Sequence, residues 1–225
     1  MSSAPLLRAE GISVRRGGRL LLDGVSFDAR RGEILGVIGP NGAGKTTLFE
    51  AVAGFVPLAG GRVVLDGALF YLPEAIRPWR ERGVGWCLDF FARVFGGERD
   101  EHAIDVLELE PLRNQRAGSL SKGEARRLAL ALALSTPQPI LLLDEPFDGL
   151  DFRQTRAAMD LLRARAAGGR TLILSIHQLV DAARICERFL LLDHGRAVAA
   201  GDLEELRALI GAPAAGLEEV FLALE

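Results

Sequence analysis

Cysteine is nearly absent from this chain. Cys87 and Cys186 are the two it has, and their spacing suits neither a disulfide framework nor a metal site. They read as reduced thiols of a cytoplasmic protein. Long apolar runs are also missing. None approaches the roughly 18 residues that cross a bilayer, so the chain is not expected to span a membrane itself. The opening stretch, MSSAPLLRAEG, has no basic segment leading into an apolar one, so no secretory signal is expected. Basic charge is not in excess: the formal net charge is −3, which argues against a dedicated nucleic-acid binder. Lysine is scarce in a particular way. Arginine supplies nearly all the positive charge, and Lys45 and Lys122 are the only lysines. GC-rich coding accounts for the arginine, so each lysine needs its own reason.

What is present is a 225-residue chain that is 49% hydrophobic and 25% charged. That excludes wholesale disorder and is enough to bury a core without staples. We expect a single domain over residues 1–225, with subdomains. Short apolar runs alternate with amphipathic helical patterns, the mark of an α/β fold with a mostly parallel sheet. The pattern predicts strands at Glu33–Ile38, Ile140–Asp144, Thr171–Ser175 and Arg188–Leu192. It predicts helices at Lys45–Ala53, Ser121–Ser135, Arg153–Ala167, Leu179–Cys186 and Leu203–Ile210. The first thirty residues and Arg62–Leu72 read as short strands of an antiparallel flap. Residues 75–118 break the β/α alternation and read as a small inserted helical lobe, rich in aromatics.

Residues 34–48, ILGVIGPNGAGKTTL, place an apolar strand before and a helix after the pattern G-x-x-x-x-G-K-[ST]. Gly39, Pro40, Asn41, Gly42, Ala43, Gly44, Lys45, Thr46 and Thr47 are the candidate nucleotide-binding residues. Glycines let backbone amides close on a polyphosphate, and the helix N-terminus adds its positive end. Lys45 supplies a compact charge for the β- and γ-phosphates, a task that a planar guanidinium does not take over in a tight loop. Thr46 supplies a hydroxyl for Mg²⁺.

Residues 140–151, ILLLDEPFDGLD, read as a buried strand that delivers two carboxylates at its C-terminal end. Asp144 is the candidate Mg²⁺ carboxylate. Glu145 is the candidate general base for an attacking water. Adjacent carboxylates repel, so a cation must lie nearby, and Mg²⁺ with Lys45 fits.

Residues 118–135, GSLSKGEARRLALALALS, begin with Ser121-Lys122-Gly123-Glu124, which satisfies the capping box S-x-x-E. The order GPNGAGKTT, LSKGE, LLLDEP, GLD and then the isolated His177 after TLILSI resembles the ATP-binding cassette (ABC) ATPases over essentially the whole chain. LSKGE is similar to that family's LSGGQ signature. The resemblance implies a P-loop NTPase core with a mostly parallel sheet, an N-terminal antiparallel β subdomain and a short inserted α-helical subdomain. It implies a head-to-tail dimer, with itself or with a second ABC ATPase subunit, around two ATP. Ser121 and Gly123 then face the γ-phosphate held by the partner. Asp151 lies in the D-loop beside the interface, and His177 is the switch histidine that contacts the γ-phosphate and the water. Glu124 near a γ-phosphate is repulsive, so it is expected to fold back into the cap. His102 and His194 have no such context and read as surface residues.

Three positions depart from the family's commonest residues. Arg16 stands where an aromatic usually stacks on adenine; arginine there either stacks or points into solvent. Glu74, in FYLPEA, stands where a glutamine is usual; a carboxylate can reach Mg²⁺ but cannot donate to the water. The helical lobe is short and carries Trp79, Trp86, Phe90, Phe91 and Phe95, read either as its own small core or as a groove for a membrane subunit's helix, with Arg77, Arg80 and Arg82 as a polar rim. The closing GLEEVFLALE resembles the tail of exporter-type cassettes. No regulatory domain of the sugar-importer kind is expected after it. The expectation is an ATP-hydrolysing, Mg²⁺-dependent subunit on the cytoplasmic face of the membrane, bound to a separate integral permease, for export. A soluble, non-transport cassette ATPase, or a regulatory nucleotide-binding module, is the alternative.

Overall fold

The computed structural model describes residues 5–76, 79–96 and 98–224. Strands β1 (Pro5–Arg16) and β2 (Arg19–Arg30) form a long hairpin. Gly17 and Gly18 close it with φ of 56° and 80°, the positive values that a two-residue hairpin turn of type I′ demands. Strand β3 (Ile34–Ile38) is buried throughout and leads through the glycine-rich loop into helix α1 (Lys45–Val52). Strands β4 (Gly60–Leu65) and β5 (Leu69–Leu72) follow, then helices α2 (Val84–Val94) and α3 (Glu101–Val106). Helix α4 (Lys122–Leu134) precedes strand β6 (Ile140–Asp144). The chain then alternates α5 (Phe152–Ala167), β7 (Thr171–Ile176), α6 (Leu179–Ile185) and β8 (Arg188–Asp193). It ends in β9 (Arg196–Gly201), α7 (Leu203–Ile210) and α8 (Leu217–Leu224).

Among the described residues, one sheet has three antiparallel strands in the order β2-β1-β4; the other has six, in the order β5-β6-β7-β3-β8-β9. The second is parallel except for the β8–β9 pair. Its central strands β3, β6, β7 and β8 are buried along nearly all their length because both faces are covered, whereas the edge strands β5 and β9 are partly exposed. Ile34, Ile38, Leu141 and Leu143 join the core with α4 and α5, while Leu35, Val37, Ile140 and Leu142 join the core with α1 and the antiparallel sheet.

The parallel strands and the helices fall where the pattern places them, to within a residue or two. Two expectations are corrected. The first thirty residues hold two 12-residue strands, not several short ones. Arg62–Leu72 is not one flap element: β4 pairs with β1, but β5 pairs in parallel with β6 at the edge of the main sheet. A turn at Asp66-Gly67, with Gly67 at φ 130°, redirects the chain. β9 and α8 were not anticipated.

The aromatics of the lobe divide. Phe91 and Phe95 pack edge-on to Phe70 of the sheet. Trp86 and Phe90 stack with centroids 4.7 Å apart, Trp79 leans on both, and the Arg82 guanidinium lies 5.0 Å from the Trp86 ring. This second group stays partly exposed, while α2 buries Val84, Cys87, Leu88 and Ala92 instead. Arg77 lies outside the described residues. Cys87 and Cys186 are free and buried, and His102 and His194 are exposed.

Candidate functional site

β3, β6 and β7 are neighbouring parallel strands, so their C-terminal ends lie together. That brings the phosphate loop, the two carboxylates and His177 to one edge of the sheet, where such sheets bind ligands.

The loop is shaped by exclusion as much as by flexibility. A Cβ on Gly39 would lie 2.1 Å from the Leu192 carbonyl oxygen of β8. Gly44 caps α1 at φ 108° and offers the helix no side-chain acceptor, so the first amides of α1 have no capping side chain. Lys45 is buried; its Nζ donates to the Gly39 carbonyl at 2.7 Å and lies 4.0 Å from Glu145 Oε1. Pro40, Asn41, Gly42 and Thr46 are exposed, whereas Ala43 is buried and Thr47 half-buried. The Thr46 hydroxyl donates to Asp144 Oδ2 at 2.9 Å.

Asp144 ends β6 almost fully buried. Its other oxygen accepts from the Ser175 hydroxyl, and that same hydroxyl accepts from the Glu145 amide at 2.9 Å. Glu145 sits at φ 49°, in the left-handed region that a side-chain-bearing residue enters at a cost of about 1–2 kcal/mol. The Ser175 bond helps hold it there and turns the carboxylate out of the strand. Glu145 Oε2 then meets His177 Nδ1 at 2.5 Å. Half-buried Tyr71 points its hydroxyl at Asp144 Oδ2 from 3.4 Å, and burial with the nearby carboxylate pushes its pKa up.

Ser121 and Glu124 form the capping box at the start of α4. The Ser121 amide donates to Glu124 at 2.8 Å and holds that carboxyl below the usual range. Glu124 therefore folds back, as the repulsion argument expects. Acidification through the carboxylate range removes this contribution to the cap, because the folded-state value is the lowered one. Gly123 has a packing reason too: a Cβ there would lie 2.5 Å from the Gly149 carbonyl oxygen. Lys122 pairs with Asp148 at 2.5 Å, and Asp151 caps α5 with Gln154. The start of α4 and the loop that leads into α5 are thus packed as one unit.

Arg16 lies exposed at the hairpin tip, and its side chain makes no hydrogen bond or ion pair among the described residues. The hairpin is anchored beside the loop: a Cβ on Gly44 would lie 2.9 Å from Leu22 of β2. Arg16→Ala is expected to weaken ATP affinity less than tenfold, about 1.4 kcal/mol, in a nucleotide titration; a larger loss shows that Arg16 stacks on the base. The Glu74 side chain is also exposed and without a hydrogen bond among the described residues, while its carbonyl accepts from Arg126. Glu74→Gln is therefore expected to keep ATPase activity within about an order of magnitude, and a dead variant overturns this.

Sequence reasoning missed Tyr71, Ser175 and Arg126. Ser175 left a trace, as a polar residue within the apolar run TLILSI. Arg126 left none, since Arg126 and Arg127 look alike in sequence and both are buried. Arg127 holds the Leu107 carbonyl inside the lobe, whereas Arg126 reaches the site.

A glycine loop between strand and helix, a hydroxyl-bound aspartate on the next strand but one and a glutamate–histidine pair define a nucleoside-triphosphate-hydrolysing α/β core. The ABC transporter family model matches residues 22–148. The chain is 34% identical over 208 residues to an uncharacterized ABC transporter ATP-binding protein of Methanocaldococcus jannaschii, covering 90% of this chain and 79% of that protein. It is 35% identical to the hemin import ATP-binding protein HmuV of Pseudomonas aeruginosa, covering 92% of each. It is 31% identical to the Nod factor export ATP-binding protein I of Ralstonia nicotianae, covering 92% of this chain and 70% of that one. A solved ATP-binding subunit of an ABC transporter superposes with a TM-score of 0.92 at 27% identity, covering 97% and 99% of the two chains. The chain belongs to the ABC transporter family, as an ATP-binding subunit with the ATPase fold. Its relatives include both import and export proteins. No helix among the described residues is long and apolar enough to cross a membrane.

Proposed function

We propose that two copies of this subunit, or one copy and a second ABC ATPase subunit, close head-to-tail around two ATP and drive a separate membrane permease for export. The loop amides and Lys45 bind the β- and γ-phosphates. Glu145 accepts the proton of the attacking water, and His177 orients that carboxylate and the γ-phosphate end. Ser121 and Gly123 of the partner complete the far side, where the end of α4 stabilises developing charge. The observation that carries the hydrolytic reading is the convergence of Lys45, Glu145 and His177 within 4.0 Å contacts on the phosphate loop.

The donor set fits Mg²⁺. Thr46 and Asp144 offer hard oxygens 2.9 Å apart, and among the described residues no group of three or more His, Cys, Asp or Glu could hold a metal by itself. A cation that keeps water and phosphate ligands suits such a sparse site. When bound with ATP it neutralises phosphate charge. Thr46 and Asp144 would hold it, with Glu74 within the candidate set.

The permease reading is supported by the partly exposed Trp79–Trp86–Phe90 cluster and by a cavity of about 520 Å³ beside it, between the lobe and α4. Arg80 lines the cavity, and Arg82 lies over the Trp86 ring of the aromatic cluster. Export is supported by the exporter-like tail, which forms α8. The test is a tagged pull-down from detergent-solubilised membranes with Mg-ATP, using Glu145→Gln as a trap. A multi-span membrane protein in stoichiometric amount is the expected result. Recovery of the homodimer alone, or of soluble partners, overturns it in favour of a non-transport ATPase. Transport direction is then read from sealed vesicles carrying that partner.

A further inference from the structure

The guanidinium of Arg126 is almost fully buried, and it serves no purpose inside its own helix. One nitrogen donates to the Asp144 carbonyl at 3.3 Å; the other donates to the Glu74 carbonyl. The first carbonyl belongs to the residue whose side chain meets Thr46. The second belongs to the segment after β5 where the chain enters the helical lobe. Arg126 also lines the 520 Å³ cavity, together with Glu74, Ile76, Arg80, Lys122 and Asp148. One cation therefore touches the cavity, the entry to the lobe and the backbone of the metal carboxylate.

We propose that Arg126 is a positioning residue that ties the Glu74 segment to Asp144, so that the seat of the lobe at its cavity sets the geometry of the metal carboxylate. This rests on the reading of Asp144 as that carboxylate. The chemistry favours arginine. A planar fork can hold two carbonyls on different elements at once, and it keeps its charge when buried. A lysine ammonium is a single point on a flexible stem and cannot hold both in fixed geometry. The position is also electrostatically apt. Burial lowers the Arg126 pKa on balance, and the nearby Asp148, Glu74, Asp144 and Glu145 carboxylates offset that in part. Arg126 thereby supplies part of the positive charge that the Asp144–Glu145 pair needs.

The test is nucleotide binding by the full-length chain, with and without Mg²⁺, read by a fluorescent ATP analogue. It needs neither hydrolysis nor the permease. Wild type, Arg126→Lys and Arg126→Gln are compared, so that one variant that fails to fold does not decide the outcome. The expected result is Mg²⁺-free affinity within about twofold of wild type, with the Mg²⁺ needed for half-maximal binding raised on the order of tenfold in both variants, the size seen when groups supporting a metal ligand are removed. A purely structural role lowers both affinities together and overturns the proposal. So does an unchanged Mg²⁺ midpoint in Arg126→Lys. A wild-type chain whose ATP affinity ignores Mg²⁺ overturns the reading of Asp144 first, and this proposal with it.

Discussion

Glu145→Gln is expected to bind ATP at least as well as wild type while turnover falls about 10²- to 10⁴-fold, the contribution of a positioned general base. The substitution keeps the shape of the side chain and one oxygen, so the contact with His177 survives in altered polarity. It also removes the carboxylate that lies 4.0 Å from Lys45. Lys45 keeps the Gly39 and Pro40 carbonyls as acceptors, so the buried ammonium is not left unpaired. Single-turnover hydrolysis and equilibrium nucleotide binding, measured on the same preparation, separate the two effects. Normal turnover removes Glu145 from the base role. Loss of binding instead of turnover moves its function to the ground state.

Gly39→Ala is expected to cost stability and ATP affinity together. The added methyl meets the Leu192 carbonyl oxygen at 2.1 Å and the Ala43 side chain at 2.9 Å, and the nearer obstacle is backbone that cannot swing aside. Overpacking of this kind costs about 1–3 kcal/mol. The Gly39 carbonyl is also the closest acceptor of Lys45, so displacing it moves the lysine. The expected result is a lower melting temperature without nucleotide and a loss of ATP affinity above about tenfold. Gly42→Ala is the informative comparison. Nothing lies within 4 Å of a Cβ there, and the penalty is only that of φ 87°, about 1–2 kcal/mol. Equal effects at the two positions overturn the steric account of Gly39.

The site was legible in sequence where its chemistry is local. The phosphate loop, the Asp144–Glu145 strand end, the Ser121 cap and the D-loop are each a short pattern whose residue types are dictated by a turn, a helix end or a strand end. The expectation that Glu124 folds back needed only the repulsion between two negative groups and the reach of a capping box. The fold was legible for the same reason: a strand covered on both faces reads as an unbroken apolar run.

The rest depended on which distant segments become neighbours. Nothing in LFYL separates a strand of the flap from one beside β6. The contacts that decide it lie 71 residues apart in register, as in Leu69 opposite Ile140, and local pattern carries no partner identity. The same holds for Arg126, whose two acceptors come from different elements, and for Gly123, excluded from larger residues by a carbonyl of the D-loop. Local pattern carried the family resemblance, the core elements and the candidate phosphate-binding residues, because those follow from backbone geometry over a few residues. What holds them in place is legible only in the folded chain, because close packing and buried charge act between segments far apart in sequence.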